Sequence, residues 1–415
     1  MWYTVFMTID FLQFYTNTPK YTHAPGLEVM TELMARLGNP QDTLRCVHIA
    51  GTNGKGSCAA MTASILRAAG YRVGLYTSPD LTGPWERIVA NEVNITLSDF
   101  AAVTQEVEAA CAGLDEPSYF EKMTAAAFLY FARRPCDYVV LETGLGGRLD
   151  ATNVVKNPVC SVIMPIGLDH TAQLGNTLGA IASEKAGIVK PGCPVVCAVQ
   201  APEAEAVIRA RCIDMAAPLR LVDITKFSPL SFSPAGQRFS YGDMEDVELF
   251  LLGPYQGLNA CAAMEAARVL GVGETAIRAG LKSARWPCRF EYIPDQPPFV
   301  LDGAHNAHGA AVLAAGLRQY FPGQKFTMLM GVMADKDWQG ILSHMEPLAA
   351  RFICLAPEGP RALPAAELAA AVSVPAEAAA NLEEALALCR GYNEPVCAFG
   401  SLYYIGHLRT LLLDK

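Results

Sequence analysis

Residues 47–57 read VHIAGTNGKGS, and an Ala-rich segment with helical character follows them. The order is a short β-branched run, a glycine-rich turn and the start of a helix. The glycines let backbone N–H groups approach a polyphosphate, and the helix N-terminus adds partial positive charge there. Lys55 supplies a full charge, and the hydroxyl of Ser57 can meet a phosphate or Mg²⁺. The segment therefore predicts an ATP phosphate loop made of Gly51, Thr52, Asn53, Gly54, Lys55, Gly56 and Ser57.

The spacing in this loop departs from the standard GxxxxGK[ST] pattern, because Gly56 stands between the lysine and the serine. A tight strand-to-helix turn with an incidental lysine is the alternative interpretation. The strand, loop and helix context favours ATP binding.

The alternation of β-branched runs and Ala-rich stretches continues along the chain, which is typical of a parallel α/β sheet. The predicted strands of the first half are Cys46–Ala50, Val73–Thr77, Tyr138–Glu142, Val159–Ile166 and Val195–Val199. The predicted helices include Ser57–Ala69 and Phe100–Ala112. Residues 227–242 are less regular and suit a peripheral antiparallel element. Further strands are predicted at Phe299–Asp302, Phe326–Gly331, Phe352–Ala356 and Val396–Gly400.

The predicted fold class is α/β, with a large N-terminal P-loop ATPase domain built on a mostly parallel sheet. A smaller C-terminal α/β domain of Rossmann-like type follows it. Four prolines between Trp286 and Pro298 indicate a linker. The expected boundaries are therefore 1–287 for the ATP-binding domain, 288–298 for the linker and 299–415 for the C-terminal domain.

Composition limits the classes of partner. The chain has 415 residues, of which 52% are hydrophobic and 18% charged, so a disordered or fibrous protein is excluded. A net charge of -9 argues against nucleic acid or an anionic membrane as a partner. The 13 cysteines include no CxxC pair, and residues 1–15 lack a basic region or cleavage site typical of a signal peptide. We expect a cytoplasmic enzyme whose cysteines behave as small core residues.

Polar residues follow two further predicted strands. Glu142 ends one of them and is followed by the glycine-rich loop GLGG, and Asp169-His170 follows the next strand. Ligands gather at the carboxyl ends of parallel strands, and a carboxylate near an ATP loop is a natural Mg²⁺ ligand. Lys185, taken alone, is typical of a solvated helix lysine.

Together these segments resemble the Mur ligase superfamily, and in particular its folylpolyglutamate synthase branch, whose members often also act as dihydrofolate synthases. The motifs of the first half are AGTNGKGS at Ala50–Ser57, TSP at Thr77–Pro79, ERI at Glu86–Ile88, FE at Phe120–Glu121, LETGLGGRLDATN at Leu141–Asn153, LDHTAQLG at Leu168–Gly175 and EKAGIVK at Glu184–Lys190. Those of the second half are QGLNA at Gln256–Ala260, RFE at Arg289–Glu291, LDGAHN at Leu301–Asn306 and DKD at Asp335–Asp337. LGGRLDATN and DKD favour the folate branch over the peptidoglycan ligases.

The resemblance implies a reaction in which ATP activates a carboxylate as an acyl phosphate and the amine of L-glutamate displaces phosphate. The acceptor would be a folate or dihydropteroate, and the enzyme a monomer. Roles are carried over for the catalytic residues Lys55, Lys185 and His170, with Lys185 carbamylated. Further nucleotide contacts are expected from Asn259, Arg289, Asp302 and His305. Two Mg²⁺ sites are expected, one at Ser78 and Glu142 and one at His170. The folate or pterin site would include Asp80, Phe120, Asp150 and Ala151.

Two residues depart from the family pattern. Asp80 stands in SPDL where members usually read SPHL, and it places an anion near the expected pterin loop. Cys288 stands in PCRFE where PGRFE is common, and we expect little effect on the chemistry. The competing functions are a Mur ligase acting on a UDP-linked precursor, disfavoured by the lack of a UDP-binding domain before residue 50, and a non-catalytic nucleotide-binding regulator.

Overall fold

The computed structural model describes residues 26–414. The stretch 1–15, on which the expectation about a signal peptide rests, lies outside the described residues. Internal contacts divide the chain into two compact units. Unit 1 comprises the described part of Met1–Phe227 together with Leu258–Ala284, and unit 2 comprises Ser228–Gly257 together with the described part of Arg285–Lys415.

Unit 1 is built on an eight-stranded sheet whose order is β4-β3-β2-β5-β1-β6-β7-β8. Its strands are β1 Cys46–Ala50, β2 Val73–Tyr76, β3 Ile88–Ala90, β4 Val93–Asn94, β5 Tyr138–Glu142, β6 Cys160–Ile163, β7 Val195–Cys197 and β8 Leu219–Leu221. The strands from β2 to β8 in this order run parallel, and β3 and β4 add an antiparallel edge. Strands β1 and β5 are buried along their whole length and, apart from His48 and Glu142, are mostly apolar, as expected of central parallel strands.

The helices of unit 1 precede, connect or follow these strands. They are α1 Glu28–Arg36, α2 Lys55–Ala68, α3 Leu97–Cys111, α4 Tyr119–Arg133, α5 Thr171–Leu174, α6 Leu178–Ala186, α7 Pro202–Asp214, α8 Gln256–Val269, whose first residues belong to unit 2, and α9 Glu274–Ser283. Local sequence explains where several begin. The side chain of Thr96 caps α3, and Ser118 with Glu121 forms a capping box at the start of α4.

Unit 2 contains two sheets. The smaller has the order β11-β10-β9, with β9 Phe227–Ser233, β10 Gly236–Tyr241 and β11 Met244–Leu249. The larger has the order β12-β13-β17-β14-β15-β16, with β12 Glu291–Ile293, β13 Phe299–Leu301, β14 Phe326–Met330, β15 Ala349–Cys354, β16 Ala376–Ala378 and β17 Val396–Phe399. Its helices are α10 Ala307–Tyr320, α11 Trp338–Met345, α12 Ala365–Ala371, α13 Leu382–Arg390 and α14 Leu402–Leu413.

The predicted α/β class and every strand predicted from the sequence are present. The division into units differs from the predicted boundaries in two places. Residues 291–293, inside the predicted linker, form β12, which pairs antiparallel with β13. Residues 228–257 group with the C-terminal part because Phe232 stacks edge-on against Tyr320, with ring centroids 5.5 Å apart, and Leu252 joins the same hydrophobic cluster. The first difference arises from backbone pairing between neighbouring segments, and the second from apolar contacts between segments distant in sequence.

The cysteines and helices agree with the composition. All 13 cysteines are free thiols, and 12 of them are buried, as expected of small core residues. In the part of the chain that the structure describes, no helix is long and apolar enough to cross a membrane.

The close packing of α2 on α9 depends on a glycine. A Cβ at Gly280 would overlap the backbone of Ile65, and Ser64 Oγ donates to Gly280 O at 2.8 Å. We expect Gly280→Ala to lower the free energy of unfolding by about 1–3 kcal/mol, because overpacking forces the two helices apart. The measurement is urea denaturation.

Gly273→Ala is the matched control, since it precedes α9 and its added methyl group would meet open space. It should cost only about 0.5 kcal/mol, the effect of a poorer cap. Equal losses in the two variants would contradict the packing argument.

Candidate active site

The predicted phosphate loop joins β1 to α2. Gly54 takes a left-handed conformation with φ 79°, and a Cβ there would lie 2.5 Å from Asn259 Oδ1. A Cβ at Gly51 would lie 2.5 Å from the Cβ of Met164. Both positions therefore require glycine for steric reasons. The geometry also brings Asn259, far away in sequence, to the loop.

Backbone hydrogen bonds determine which N–H groups of the loop face a ligand. Thr52 N and Asn53 N donate to Pro165 O at 2.9 and 3.3 Å, which holds the loop against the end of β6. The bond from Cys58 N to Gly54 O, at 2.9 Å, belongs to the first turn of α2. The N–H groups before Cys58 belong to the part of a helix that lacks intrahelical acceptors, and this is where anions bind.

Lys185 on α6 is buried and donates from Nζ to Gly51 O at 2.8 Å. It is therefore not the solvated helix lysine that its local sequence suggests. Burial, together with the nearby charge of Lys55, lowers the pKa of Lys185 to about 8, while Asp169 and Asp150 act in the opposite direction. An amine with this pKa is partly neutral near physiological pH, and it is nucleophilic in that form.

Glu142 lies beside the loop because of sheet register. Ile49 on β1 is paired with Glu142 on β5, and the Glu142 carboxylate accepts from Ser78 N at 3.0 Å. Glu142 is buried and offers the hard oxygen donor that Mg²⁺ prefers. Mg²⁺ commonly binds one or two carboxylates plus substrate phosphates, so Ser78 and Glu142 fit such an ion.

His170 is not joined to that pair. Its ring is half exposed, its backbone is left-handed, and Nε2 lies 3.9 Å from Asp169 Oδ2. Within residues 26–414, no group of three or more His, Cys, Asp and Glu side chains is arranged to hold a metal ion. The metal ligands expected from the sequence therefore divide into a contacting pair and a separate imidazole.

The predicted folate residues Phe120, Asp150 and Ala151 lie around the second glycine-rich loop. A Cβ at Gly144 would lie 2.5 Å from Phe120 Cζ, so the absence of a side chain lets the ring pack on the loop. Asp150 is buried and accepts from Gly144 N and Leu145 N at 2.9 and 2.8 Å. Ala151 is buried beside it and starts a 3₁₀ turn.

The same loop is attached to α6. Arg148 N donates to Glu184 O at 2.7 Å, and the two side chains form an ion pair at 2.9 Å. A Cβ at Gly147 would lie 2.8 Å from Lys185 O. The two glycine-rich loops of unit 1 therefore share α6 as a common support.

Asp80 has a cationic partner. Arg87 Nε lies 2.5 Å from Asp80 Oδ1, and the Arg87 side chain is only 11% exposed. Its guanidinium lies 5.2 Å from the ring centroid of Tyr119. The negative charge of Asp80 is therefore balanced within the protein. The sequence offered Arg87 only as part of the ERI motif, and its pairing with Asp80 was not predicted.

In unit 2, Asp302 accepts from Phe290 N and Ala304 N, both at 2.8 Å. Burial raises the pKa of Asp302, whereas the charge of Arg289 lowers it. His305 Nδ1 lies 2.8 Å from Gly303 O. The structure thus brings together three of the predicted nucleotide residues on neighbouring segments of unit 2.

Arg289 lies between two residues with left-handed backbones, Cys288 at φ 56° and Phe290 at φ 49°. Such conformations are unfavourable for side chains of this size and persist only where surrounding contacts hold them. Here Cys288 N donates to the Glu291 carboxylate at 2.8 Å, and Asp302 holds Phe290 N. A glycine at position 288 would adopt this left-handed conformation at lower cost. The sequence alone did not indicate this backbone cost of Cys288.

Comparison with known proteins gives the same assignment along the chain. Residues 49–267 match the Mur ligase middle domain, and residues 288–401 match the Mur ligase glutamate ligase domain. A dihydrofolate synthase/folylpolyglutamate synthase from Bacillus subtilis is 39% identical over 95% of this chain and 96% of its own length. A folylpolyglutamate synthase from Lacticaseibacillus casei is 36% identical over 96% of this chain and 99% of its own. The structure of a Mycobacterium tuberculosis folylpolyglutamate synthase complexed with ADP and AMPPCP has a TM-score of 0.88 and 31% identity, covering 99% of both chains.

Two matching domains and relatives of this identity show that the chain belongs to the Mur ligase family of ATP-dependent ligases. Within that family it groups with the folylpolyglutamate and dihydrofolate synthases. The resemblance inferred from the sequence motifs is confirmed.

The Asp80–Arg87 pair permits a stability test. Arg87→Met should lower the free energy of unfolding by about 1–2 kcal/mol, because it leaves a partly buried carboxylate without its cation. Adding Asp80→Asn should restore part of the loss. Urea denaturation of the four proteins in this double-mutant cycle measures the coupling, expected at about 1 kcal/mol or more. Additive effects would show that the pair contributes nothing.

Proposed function

We propose that this chain joins L-glutamate to the carboxylate of a reduced folate, using ATP, and that it also joins L-glutamate to dihydropteroate. The observation that carries the proposal is the placement of two glycine-rich loops at one sheet edge. One loop is suited to phosphate and the other is packed against Phe120 and Asp150. The names of the B. subtilis and L. casei relatives supply the substrate class.

In the first step, an oxygen of the acceptor carboxylate attacks the γ-phosphorus of ATP. The bond to the bridging oxygen breaks, ADP leaves and an acyl phosphate forms. Lys55 and the N–H groups at the start of α2 offset the negative charge of the transferring phosphoryl group. Thr52 and Asn53 act through the shape of the loop, because their N–H groups are bound to Pro165.

In the second step, the amine of glutamate attacks the acyl carbon. The tetrahedral intermediate expels phosphate, leaving an amide bond, and the amine loses a proton. A Mg²⁺ ion held by Ser78 and Glu142 would neutralise phosphate charge. We propose that His170 would hold a second Mg²⁺ ion. Mg²⁺ favours oxygen ligands over imidazole.

Lys185 is proposed to be carbamylated. Its neutral amine attacks CO₂ and loses a proton, which converts a buried cation into an anionic oxygen donor. Two features support this: the side chain is buried beside the phosphate loop, and its pKa is lowered to about 8. In this form Lys185, with Lys55 and His170, completes the proposed catalytic set.

The acceptor is proposed to bind along Phe120, Asp150 and Ala151, with Asp80 at the edge of the site. Phe120 offers a ring face for stacking on a pterin. Since Asp80 is paired with Arg87, it presents less net negative charge to an acidic acceptor than an isolated carboxylate would.

Nucleotide contacts are proposed for Asn259 in unit 1 and for Arg289, Asp302 and His305 in unit 2. We further propose a cytoplasmic monomer whose domains follow the boundaries 1–287 and 299–415, joined through 288–298. The observed β12 indicates that part of this segment is ordered in the sheet of unit 2.

The function is tested by glutamate-dependent release of phosphate from ATP, with dihydropteroate, tetrahydrofolate and a UDP-muramoyl precursor as acceptors. We expect activity with the first two and none with the third. Lys55→Ala should remain folded and lose about two orders of magnitude in turnover, because it removes charge stabilisation of the phosphoryl group.

Three other outcomes would contradict parts of this proposal. Activity with tetrahydrofolate but not with dihydropteroate would contradict the proposed dihydrofolate synthase activity. Turnover of the UDP-linked acceptor would indicate a peptidoglycan ligase. Nucleotide binding without any glutamate-dependent ADP release would indicate a regulator.

Carbamylation of Lys185 predicts a pH dependence. Because the amine is half neutral at about pH 8 rather than near 10.5, labelling by ¹³C-bicarbonate should rise steeply from pH 7 to pH 9. The measurement is the carbamate signal in ¹³C NMR. Lys185→Ala should abolish the signal and reduce turnover about 100-fold, with partial rescue by small carboxylates.

The exposed Lys156, which pairs with Asp42, gives the control Lys156→Ala, and this variant should keep both signal and activity. An active, bicarbonate-supplied enzyme with no carbamate signal would overturn this role of Lys185.

A further inference from the structure

His48 is a buried polar residue that the reaction scheme does not use. It lies in the middle of β1, three residues before Gly51 begins the phosphate loop, and its side chain has no exposure to solvent. On either side of it in the sheet are Leu141 of β5 and Ser161 of β6. Its Nε2 lies 2.8 Å from Thr152 Oγ1. Thr152 belongs to the 3₁₀ turn Ala151–Val154. This turn follows the second glycine-rich loop, residues 144–150, which we call the acceptor loop.

The hydrogen-bond directions in this contact are determined by its neighbour. Thr152 Oγ1 donates its only proton to Asp150 Oδ1, so toward His48 it acts as the acceptor. His48 must therefore carry its proton on Nε2 and donate it to Thr152. Burial, with a contribution from the charge of Lys190, lowers the pKa of His48 to about 3, which agrees with this neutral form.

The contact continues to the acceptor loop. Asp150 Oδ1 also accepts from Thr152 N at 3.0 Å, and its other oxygen accepts from Gly144 N and Leu145 N. With four donors on two oxygens, Asp150 can accept all of them only as a carboxylate. A continuous series of hydrogen bonds thus runs from β1, through Thr152 and Asp150, to the backbone that packs on Phe120.

The second nitrogen of His48 makes this arrangement costly for stability. Nδ1 is buried and has no hydrogen-bond partner among the described residues. A buried acceptor without a donor is unfavourable, and an apolar side chain of similar volume would avoid that cost. An apolar side chain, however, could not donate a hydrogen bond to Thr152, as His48 does.

We propose that His48 is a positioning residue: through Thr152 and Asp150 it sets the acceptor loop, residues 144–150, relative to the phosphate loop that follows β1. It touches no substrate. The inference rests on the proposed function, because residues 144–150 matter only if they border the acceptor. It explains how β1, the strand that leads into the phosphate loop, also determines where the acceptor carboxylate lies.

The test compares His48→Leu with His48→Gln. Leu keeps the volume and removes the donor, whereas the amide nitrogen of Gln replaces Nε2. We expect His48→Leu to raise KM for tetrahydrofolate about tenfold, the effect of one hydrogen bond, with the KM for ATP unchanged. His48→Gln should restore most of the affinity. If His48 has a purely structural role, the KM values for tetrahydrofolate and for ATP should either both change in parallel with stability or both stay the same.

A second measurement is independent of substrate and of the assigned activity. Hydrogen–deuterium exchange of the peptide containing Gly144 and Leu145 should be faster in His48→Leu than in the natural protein, while the peptide from α2 should be unchanged. If the natural protein uses no folate acceptor, the proposed function fails. If it uses folates but His48→Leu keeps both the acceptor KM and the exchange rate, this inference alone fails.

Discussion

The parallel pairing of β1 with β5 is the constraint on which the site depends. It places Ile49 opposite Glu142, so that the phosphate loop and the second glycine-rich loop leave the sheet at the same edge. Since both strands are buried along their length, a slip in register would move their side chains into differently shaped parts of the packed core and is strongly disfavoured. The positions of the Lys55, Glu142 and Asp150 backbones relative to one another follow from this pairing.

Charges gathered at this edge could not be buried singly. Lys185 is desolvated beside the cationic Lys55, and the cost is reduced by its bond to Gly51 O and by the fields of Asp169 and Asp150. Asp150 is held by four donors, and Asp80 by Arg87. Each buried charge therefore has compensation within unit 1, which is the condition for keeping charged groups at a site that must exclude water from an acyl phosphate.

In unit 2, a charged side chain, Arg289, is held in place by the conformation of its own backbone segment. Instead of a glycine-rich loop, unit 2 has a strained segment, in which Cys288 and Phe290 adopt left-handed backbones on either side of Arg289. The carboxylates of Glu291 and Asp302 hold this segment by accepting from its N–H groups. Asp302 thus shapes the backbone in addition to lying near Arg289. A local arrangement of this kind reduces the freedom of a long cationic side chain that is proposed to meet a nucleotide.

Local sequence by itself determined the α/β class, the positions of the strands, the phosphate loop and the family, because strand periodicity and glycine-rich turns are short-range signals. Cys46–Ala50 and Tyr138–Glu142 were predicted with both ends correct. Tertiary structure alone decided that Lys185 is buried, that Asp80 is paired with Arg87, that His48 donates to Thr152, and that residues 228–257 belong with unit 2. The burial of Lys185, the contact of His48 and the grouping of residues 228–257 depend on segments far apart in the chain, whereas the pairing of Asp80 with Arg87 depends on how the short segment between them folds. Local patterns carry no information about which partner neutralises a charge or accepts a proton.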